Sequence, residues 1–300
     1  MKKLRLSVVL ASVTIMLAAV SPVSAITYGE PDAGEHPYVG FMIFYSPADE
    51  GWFSCSGTLL DADTFLTAAH CAYGIGTDFA DVGTSGGTDV WVTFDDTEVL
   101  AGWPLRAEIG TVYPTVEAFN LARRAWLESH GFIRGTAFPH PGFGEATFPA
   151  NFDVGVVELN AAAPVTTFAE LAPLGTVESL AGTPRTRNDA LIESVGYGIQ
   201  SVQPHPMDVE TRYKSTSRIV GINGNISRSG NLHTLNNPSP VGGRGGTCFG
   251  DSGGPLFVNN TNDIVAVVSF GFSLTCHGAD YSWRVDTQDS YDFILPFLAM

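Results

Sequence analysis

Apolar residues in this chain come mostly in short runs bounded by turn residues, and they seldom keep a helical period. Val39–Tyr45 is one such run, Trp52–Leu60 and Thr64–Ala69 follow, and Asp61-Ala62-Asp63 supplies the turn between the latter two. Asp89–Asp95 alternates, with Val90, Val92 and Phe94 on one face, the pattern of a half-buried strand. Further strands are predicted at Asn151–Leu159, Ala190–Val195, Arg212–Ile222, Leu256–Val258 and Ile264–Phe270. One interval breaks the pattern. Across Thr115–Gly131, Val116, Phe119, Trp126 and Leu127 recur at roughly helical spacing, Thr115 can cap the start, and His130-Gly131 can close the end. That stretch reads as a single amphipathic surface helix inserted in a β domain, with Arg123 and Arg124 on its solvated face. Ser290–Leu298 reads as a short terminal helix packing Tyr291, Ile294 and Leu298. The Ala- and Pro-interrupted interval Ala161–Gly182 marks the boundary between two halves.

Composition agrees with a turn-rich β protein: 33 glycines and 18 prolines in 300 residues. With 44% hydrophobic and 15% charged residues the chain can bury a real core, which excludes wholesale disorder. A formal charge of −16 and a pI near 4.6 exclude nucleic acid and anionic membrane as natural partners. Lys2, Lys3 and Arg5 precede an uncharged run from Leu6 to Val20, and Val23-Ser24-Ala25 offers small residues at a cleavage site. Residues 1–25 are therefore expected to be a secretory signal peptide, too short in its apolar run for a membrane anchor. The remaining 26–300 would be one exported domain, secreted or periplasmic. Four cysteines in an exported chain favour two disulfides, in any of three connectivities, and their spacing is not that of a zinc knuckle. No internal repeat and no nucleotide-binding glycine signature follows any strand.

The chemistry gathers in three stretches. Gly246-Thr247-Cys248-Phe249-Gly250-Asp251-Ser252-Gly253-Gly254-Pro255 sets one serine among glycines, whose backbone can come close to a ligand and turn N–H groups toward one point. Alone it is equally a Gly-rich turn with an incidental serine. Thr67-Ala68-Ala69-His70-Cys71 puts a histidine at a strand end. Asn151-Phe152-Asp153-Val154-Gly155-Val156-Val157 puts an acid inside an apolar run, where it is costly without a partner. Gly250–Gly254 also satisfies the nucleophile elbow of α/β-hydrolases, with Asp263 and His277 following. The short interval from Ser252 to His277 leaves no room for alternating strands and helices, and that reading is rejected.

Taken in this order, TAAHC, NFDVGVVEL and GDSGGP resemble the chymotrypsin-like (trypsin-type) serine endopeptidases. Cys55-Ser56-Gly57-Thr58-Leu59-Leu60, His140-Pro141 and Gly196-Tyr197-Gly198 match as well, so the resemblance spans Ile26 to about Leu298. It implies an all-β fold of two antiparallel Greek-key six-stranded β-barrels, about 26–165 and 166–300, with the active site between them. It also implies a secreted peptidase acting on protein or peptide substrates, as a monomer and without a cofactor. Ser252 would be nucleophile, His70 general base, Asp153 its orienting acid, and the amides of Gly250 and Ser252 the oxyanion hole. Cys55–Cys71 and Cys248–Cys276 would be the disulfides. A freed Ile26 amine would pair with Asp251, and cleavage after Ala25 would generate it directly; earlier cleavage, for example after Ala19, would leave a short propeptide.

Substrate contacts implied by the resemblance are Gly246, Thr247, Ser269, Phe270, Gly271 and Asp280. Gly246 stands at the pocket floor, where trypsins carry an aspartate, so specificity is expected to be set elsewhere. Asp280 either points into the pocket, favouring Lys or Arg, or is a solvated loop acid if the register slips. A non-catalytic binding protein on the same scaffold is the alternative, disfavoured because all three triad members are present. No metal site is implied. Asp78, Asp81, Asp89, Asp95, Asp96 and Glu98 could hold structural calcium but keep no defined loop spacing. His36, His130, His140, His205, His233 and His277 are expected in loops or at the surface.

Overall fold

Six strands of the first half close on themselves because their apolar positions need cover on more than one side. In the computed structural model, residues 25–76, 87–181, 190–202, 210–222, 224–227, 230–237 and 245–298 are described. The expected leader before Ala25, the acids Asp78 and Asp81, and His205 lie outside the described residues. The first barrel is built from β2 (Val39–Ser46), β3 (Gly51–Leu59), β4 (Thr64–Thr67), β5 (Val90–Thr93), β6 (Ile133–Pro139) and β7 (Gly155–Leu159). Its strand order is β2-β3-β4-β7-β6-β5, closed by β5 on β2, and every pairing is antiparallel. Strand β2 is apolar on successive residues because both its faces are buried. β1 (Glu30–Pro31) precedes it in the chain yet pairs with the second barrel.

The second barrel takes β9 (Leu191–Gly196), β10 (Tyr213–Gly221), β11 (Asn231–Leu235), β12 (Pro255–Val258), β13 (Asp263–Gly271) and β14 (Ala279–Arg284). Its order, β9-β10-β11-β14-β13-β12, repeats that of the first barrel, and β12 on β9 closes it. The two-residue β8 (Glu170–Leu171) lies parallel to β13. The expected two antiparallel six-stranded barrels are thus present. One apolar cluster runs from the first barrel across to Tyr197, Phe257 and Trp283, and a smaller one fills the second barrel around Ile192, Ile219 and Leu232.

Three expected features change in the structure. Strand β4 stops at Thr67, and His70 sits in a helical turn, α1 (Ala69–Ala72), instead of at a strand end. The inserted helix is α2 (Val116–Ser129), capped as expected by Thr115, whose Oγ1 accepts from Ala118 N–H at 3.1 Å. Its arginines are not a solvated face. Arg124 donates twice to the buried Asp89, at 2.7 and 3.2 Å, and the Arg123 guanidinium lies 3.7 Å from the Trp103 ring centroid. Asp89, considered above for calcium, already faces a cation. The third is His36, which is buried, its Nδ1 2.5 Å from an Asp32 carboxylate that also takes Arg212 Nε at 2.9 Å. In the link between the two barrels, α3 (Thr176–Ala181) is docked by Arg284, which holds Glu178 and Asp286. The terminal helix α4 (Gln288–Ile294) continues into a tight turn at Leu295–Phe297 and buries Ile294.

Candidate active site

The turn α1 holds His70 over the end of β7's lead-in, and Asp153 reaches it twice. Asp153 Oδ1 accepts the His70 backbone N–H at 2.8 Å, and Oδ2 lies 2.8 Å from His70 Nδ1. Ser269 Oγ also donates to Asp153 Oδ2, at 2.5 Å, and Asn151 Nδ2 donates to Ser269 Oγ at 3.1 Å. Burial alone would raise the Asp153 pKa, but the His70 charge and these hydrogen bonds outweigh it and hold the carboxyl below its usual range. Burial works the other way on His70, yet the Asp153 carboxylate prevails and the imidazole pKa is raised. The acid buried in an apolar run therefore has the partner its position demands.

Ser252 comes from the opposite barrel, on the loop leading into β12, and lines one cleft of about 250 Å³ together with His70. Its hydroxyl makes no hydrogen bond to the His70 ring, a contact such sites often tighten only with the reacting group in place. The loop is fixed from β3. Ser56 N–H donates to Ser252 O at 2.8 Å, and Ser56 Oγ donates to Gly250 O at 3.0 Å while accepting from Tyr197 N–H at 3.0 Å. Gly250 has φ of +96°, and a Cβ there would lie 2.9 Å from Gly198 Cα. Neither the Gly250 amide nor the Ser252 amide donates to another group among the described residues. The disulfides are Cys55–Cys71 and Cys248–Cys276, the first bracing the His70 turn and the second the Ser252 loop.

A second cavity of about 250 Å³ opens on the other side of Ser252, and Thr247, Ser269, Phe270, Gly271 and Asp280 line it. Pairing of β13 with β14 sets Gly271 opposite Asp280, and this register turns the carboxylate inward. Asp280 is therefore a pocket acid and not a solvated loop acid. A Cβ on Gly271 would lie 2.9 Å from Asp280 Oδ1. Thr247 Oγ1 donates to Asp280 Oδ2. Burial pushes Asp280 up to about 7; the Asn236 side chain and the Tyr281 N–H oppose the rise and the nearby Asp251 charge adds to it.

Gly246 is a correction. It does not line the cavity, because the Asn236 side chain occupies that position, and a Cβ on Gly246 would lie 1.9 Å from Asn236 Oδ1. Gly246 instead pairs with Thr27: its N–H donates to Thr27 O at 3.2 Å and its carbonyl accepts from Thr27 Oγ1 at 3.1 Å. The neighbouring Ile26 is fully buried. Asp251, 1% exposed, accepts from the N–H groups of Gly198 and Cys248, both at 2.8 Å. Sequence reasoning missed Asn151, Asn236 and Ser56. Asn151 stands inside the quoted acidic stretch and was readable there; Asn236 reaches the pocket only through β11–β14 pairing, which no local pattern announces.

Among the described residues, the one His/Cys/Asp/Glu group close enough to share a cation is Cys55, His70 and Cys71, and its two sulfurs are bonded to each other. No helix among them is long and apolar enough to cross a membrane.

The family model described as Trypsin matches residues 26–100 and 122–294, passing over 101–121. No curated protein matches the sequence. Among solved structures, HL collagenase is 19% identical over 91% of this chain and 96% of its own, with a TM-score of 0.56. The structure of GrC is 16% identical over 89% and 96%, TM-score 0.57. Human heparin binding protein is 17% identical over 91% and 98%, TM-score 0.57. At such identities the likeness is one of fold.

Proposed function

This chain belongs to the trypsin family, and from that premise we propose that it is a secreted serine endopeptidase. The observation that carries the proposal is the double hold of Asp153 on His70 beside Ser252. Ser252 Oγ attacks the scissile carbonyl carbon while His70 Nε2 takes its proton, and Asp153 fixes the Nδ1–H tautomer and stabilises the imidazolium. The carbonyl oxygen becomes an oxyanion facing the Gly250 and Ser252 amides. Collapse breaks the C–N bond, and His70 returns the proton to the leaving amine. Water then attacks the acyl-enzyme with His70 again as base, releasing the acid and restoring Ser252. Asp280 in the adjacent cavity favours Lys or Arg as the residue supplying the acyl group. Two disulfides suit an oxidising compartment outside the cytoplasm.

A fluorophosphonate probe tests the reading. Covalent labelling of the processed protein that is lost in Ser252→Ala is expected; a processed, folded wild type that resists the probe would replace the enzyme with a binding protein on the same scaffold.

The N-terminus completes the proposal. Signal cleavage after Ala25 frees the Ile26 amine where Ile26 is already buried and Thr27 already pairs with Gly246. A buried ammonium paired with Asp251 has a raised pKa. Its ordering effect is complete below the free amine's roughly 7.7–8.0 and is lost as pH rises through the higher folded value. N-terminal sequencing of the exported protein should read Ile-Thr-Tyr-Gly-Glu. An inactive form starting at Val20 would mean that a separate activation step exists.

A further inference from the structure

The reaction leaves a built feature beside Gly250 unused. A cleft of about 290 Å³ beside Gly250 is lined by Trp52, Leu100, Ile199 and Phe249, with Glu210 on its wall. It continues the His70 cleft, since Phe53 and Ser54 line both. Direction follows from chemistry: His70 hands its proton to the leaving amine, so the His70 cleft lies on the leaving side of Ser252, opposite the Asp280 cavity. An extended substrate alternates its side chains. The first leaving-side residue therefore meets the His70 cleft, and the second reaches the cleft beyond Phe53. Phe53 and Phe249, 45% and 51% exposed, present ring surface to this cleft.

One wall of this cleft, Trp52, is held by the insertion. Trp52 Nε1 donates at 2.9 Å to Asn120 Oδ1 on α2, and Asn120 is 8% exposed. The indole is clasped by Trp91 and Trp103, with ring centroids at 5.7 and 5.5 Å. Arg124, tied to Asp89, fixes the helix behind it. Asn120 lies in the stretch 101–121 that the family model passes over. We propose that α2 is a specificity device: through Asn120 it positions Trp52 to bind an aromatic or branched aliphatic residue, second after the scissile bond. This rests on the serine endopeptidase reading above.

The test digests a peptide library varied only at the second leaving-side position, with each variant's active sites counted by a fluorophosphonate. Wild type should cut peptides with Phe or Leu there at least about tenfold faster than those with Gly or Asp. Trp52→Ala and Asn120→Ala should remove most of that ratio, and Asn120→Asp, which keeps an oxygen for the indole N–H, should restore it. Phe249→Ala removes an exposed ring and serves if a buried variant fails to fold; it too should flatten the ratio. Hydrolysis with no preference at that position, or a ratio unchanged in Trp52→Ala and Phe249→Ala, overturns the inference while sparing the endopeptidase reading. Failure of the processed wild type to cut any peptide overturns both.

Discussion

Replacing Asp153 by asparagine will lower kcat by about 10⁴-fold, the loss such a tautomer exchange brings to a triad. The amide has the carboxylate's shape, but only one of its two ends can accept. If the oxygen takes the His70 backbone N–H, the NH₂ end faces His70 Nδ1 and forces it to accept, leaving the proton on Nε2 where a base is needed. The Ser269 and Asn151 bonds behind Asp153 keep the substituted side chain from swinging away. The pH profile distinguishes this from simple unfolding. Asp153 is what raises the His70 pKa against the opposing effect of burial, so its loss should move the acid limb of kcat/KM to lower pH. A variant with normal circular dichroism, a small loss in kcat and an unmoved acid limb would remove Asp153 from the mechanism.

Asp280→Asn should cut kcat/KM for Arg and Lys amide substrates by about a hundredfold, with little change for large neutral residues. Wild type should also show a pH-dependent choice. The Asp280 carboxyl, raised to about 7, is charged above that pH and neutral below it. The ratio of Arg to Phe cleavage should therefore rise through pH 7, because His70 titrates in both reactions and cancels from the ratio. In Asp280→Asn the ratio should be low and flat. Stability moves the opposite way. A carboxyl with a raised folded pKa contributes stability that is full below its unfolded value near 3.8 and is lost as pH rises toward 7. At pH 8 the asparagine variant should melt above wild type, and at pH 4 the difference should vanish. Equal Arg preference in variant and wild type would take Asp280 out of recognition.

Much of the fold was legible where burial is strong. The apolar runs that became β2, β3, β9, β12 and β13 are buried along most of their length, so their hydrophobicity announces them. The strands β6, β11 and β14 were not read. Arg134, Thr136, His233, Asp280 and Arg284 lie within them, and their pairing is dictated by barrel closure and not by a local pattern. The disulfide pairing implied by the resemblance is the one found, and the three stretches proposed to carry catalysis were legible because their motifs are dense. The pocket was only half legible: Asp280 could be assigned only once its register opposite Gly271 was known, and Gly246 was misplaced because Asn236, brought in at the end of β11, fills its position. The two arginines of α2 misled for the same reason, since their partners Asp89 and Trp103 are distant in the chain or on another element.

The proposed triad draws His70 and Asp153 from one barrel and Ser252 from the other, and Ser56 is one stitch between them. Catalytic alignment is therefore a property of a seam, not of either half. Each barrel can keep its own closed ladder while the seam slips by a fraction of an ångström, and that slip alone is enough to misplace a nucleophile. On warming, activity is therefore expected to fall before the barrels melt, which peptide cleavage and circular dichroism followed over one temperature ramp would check.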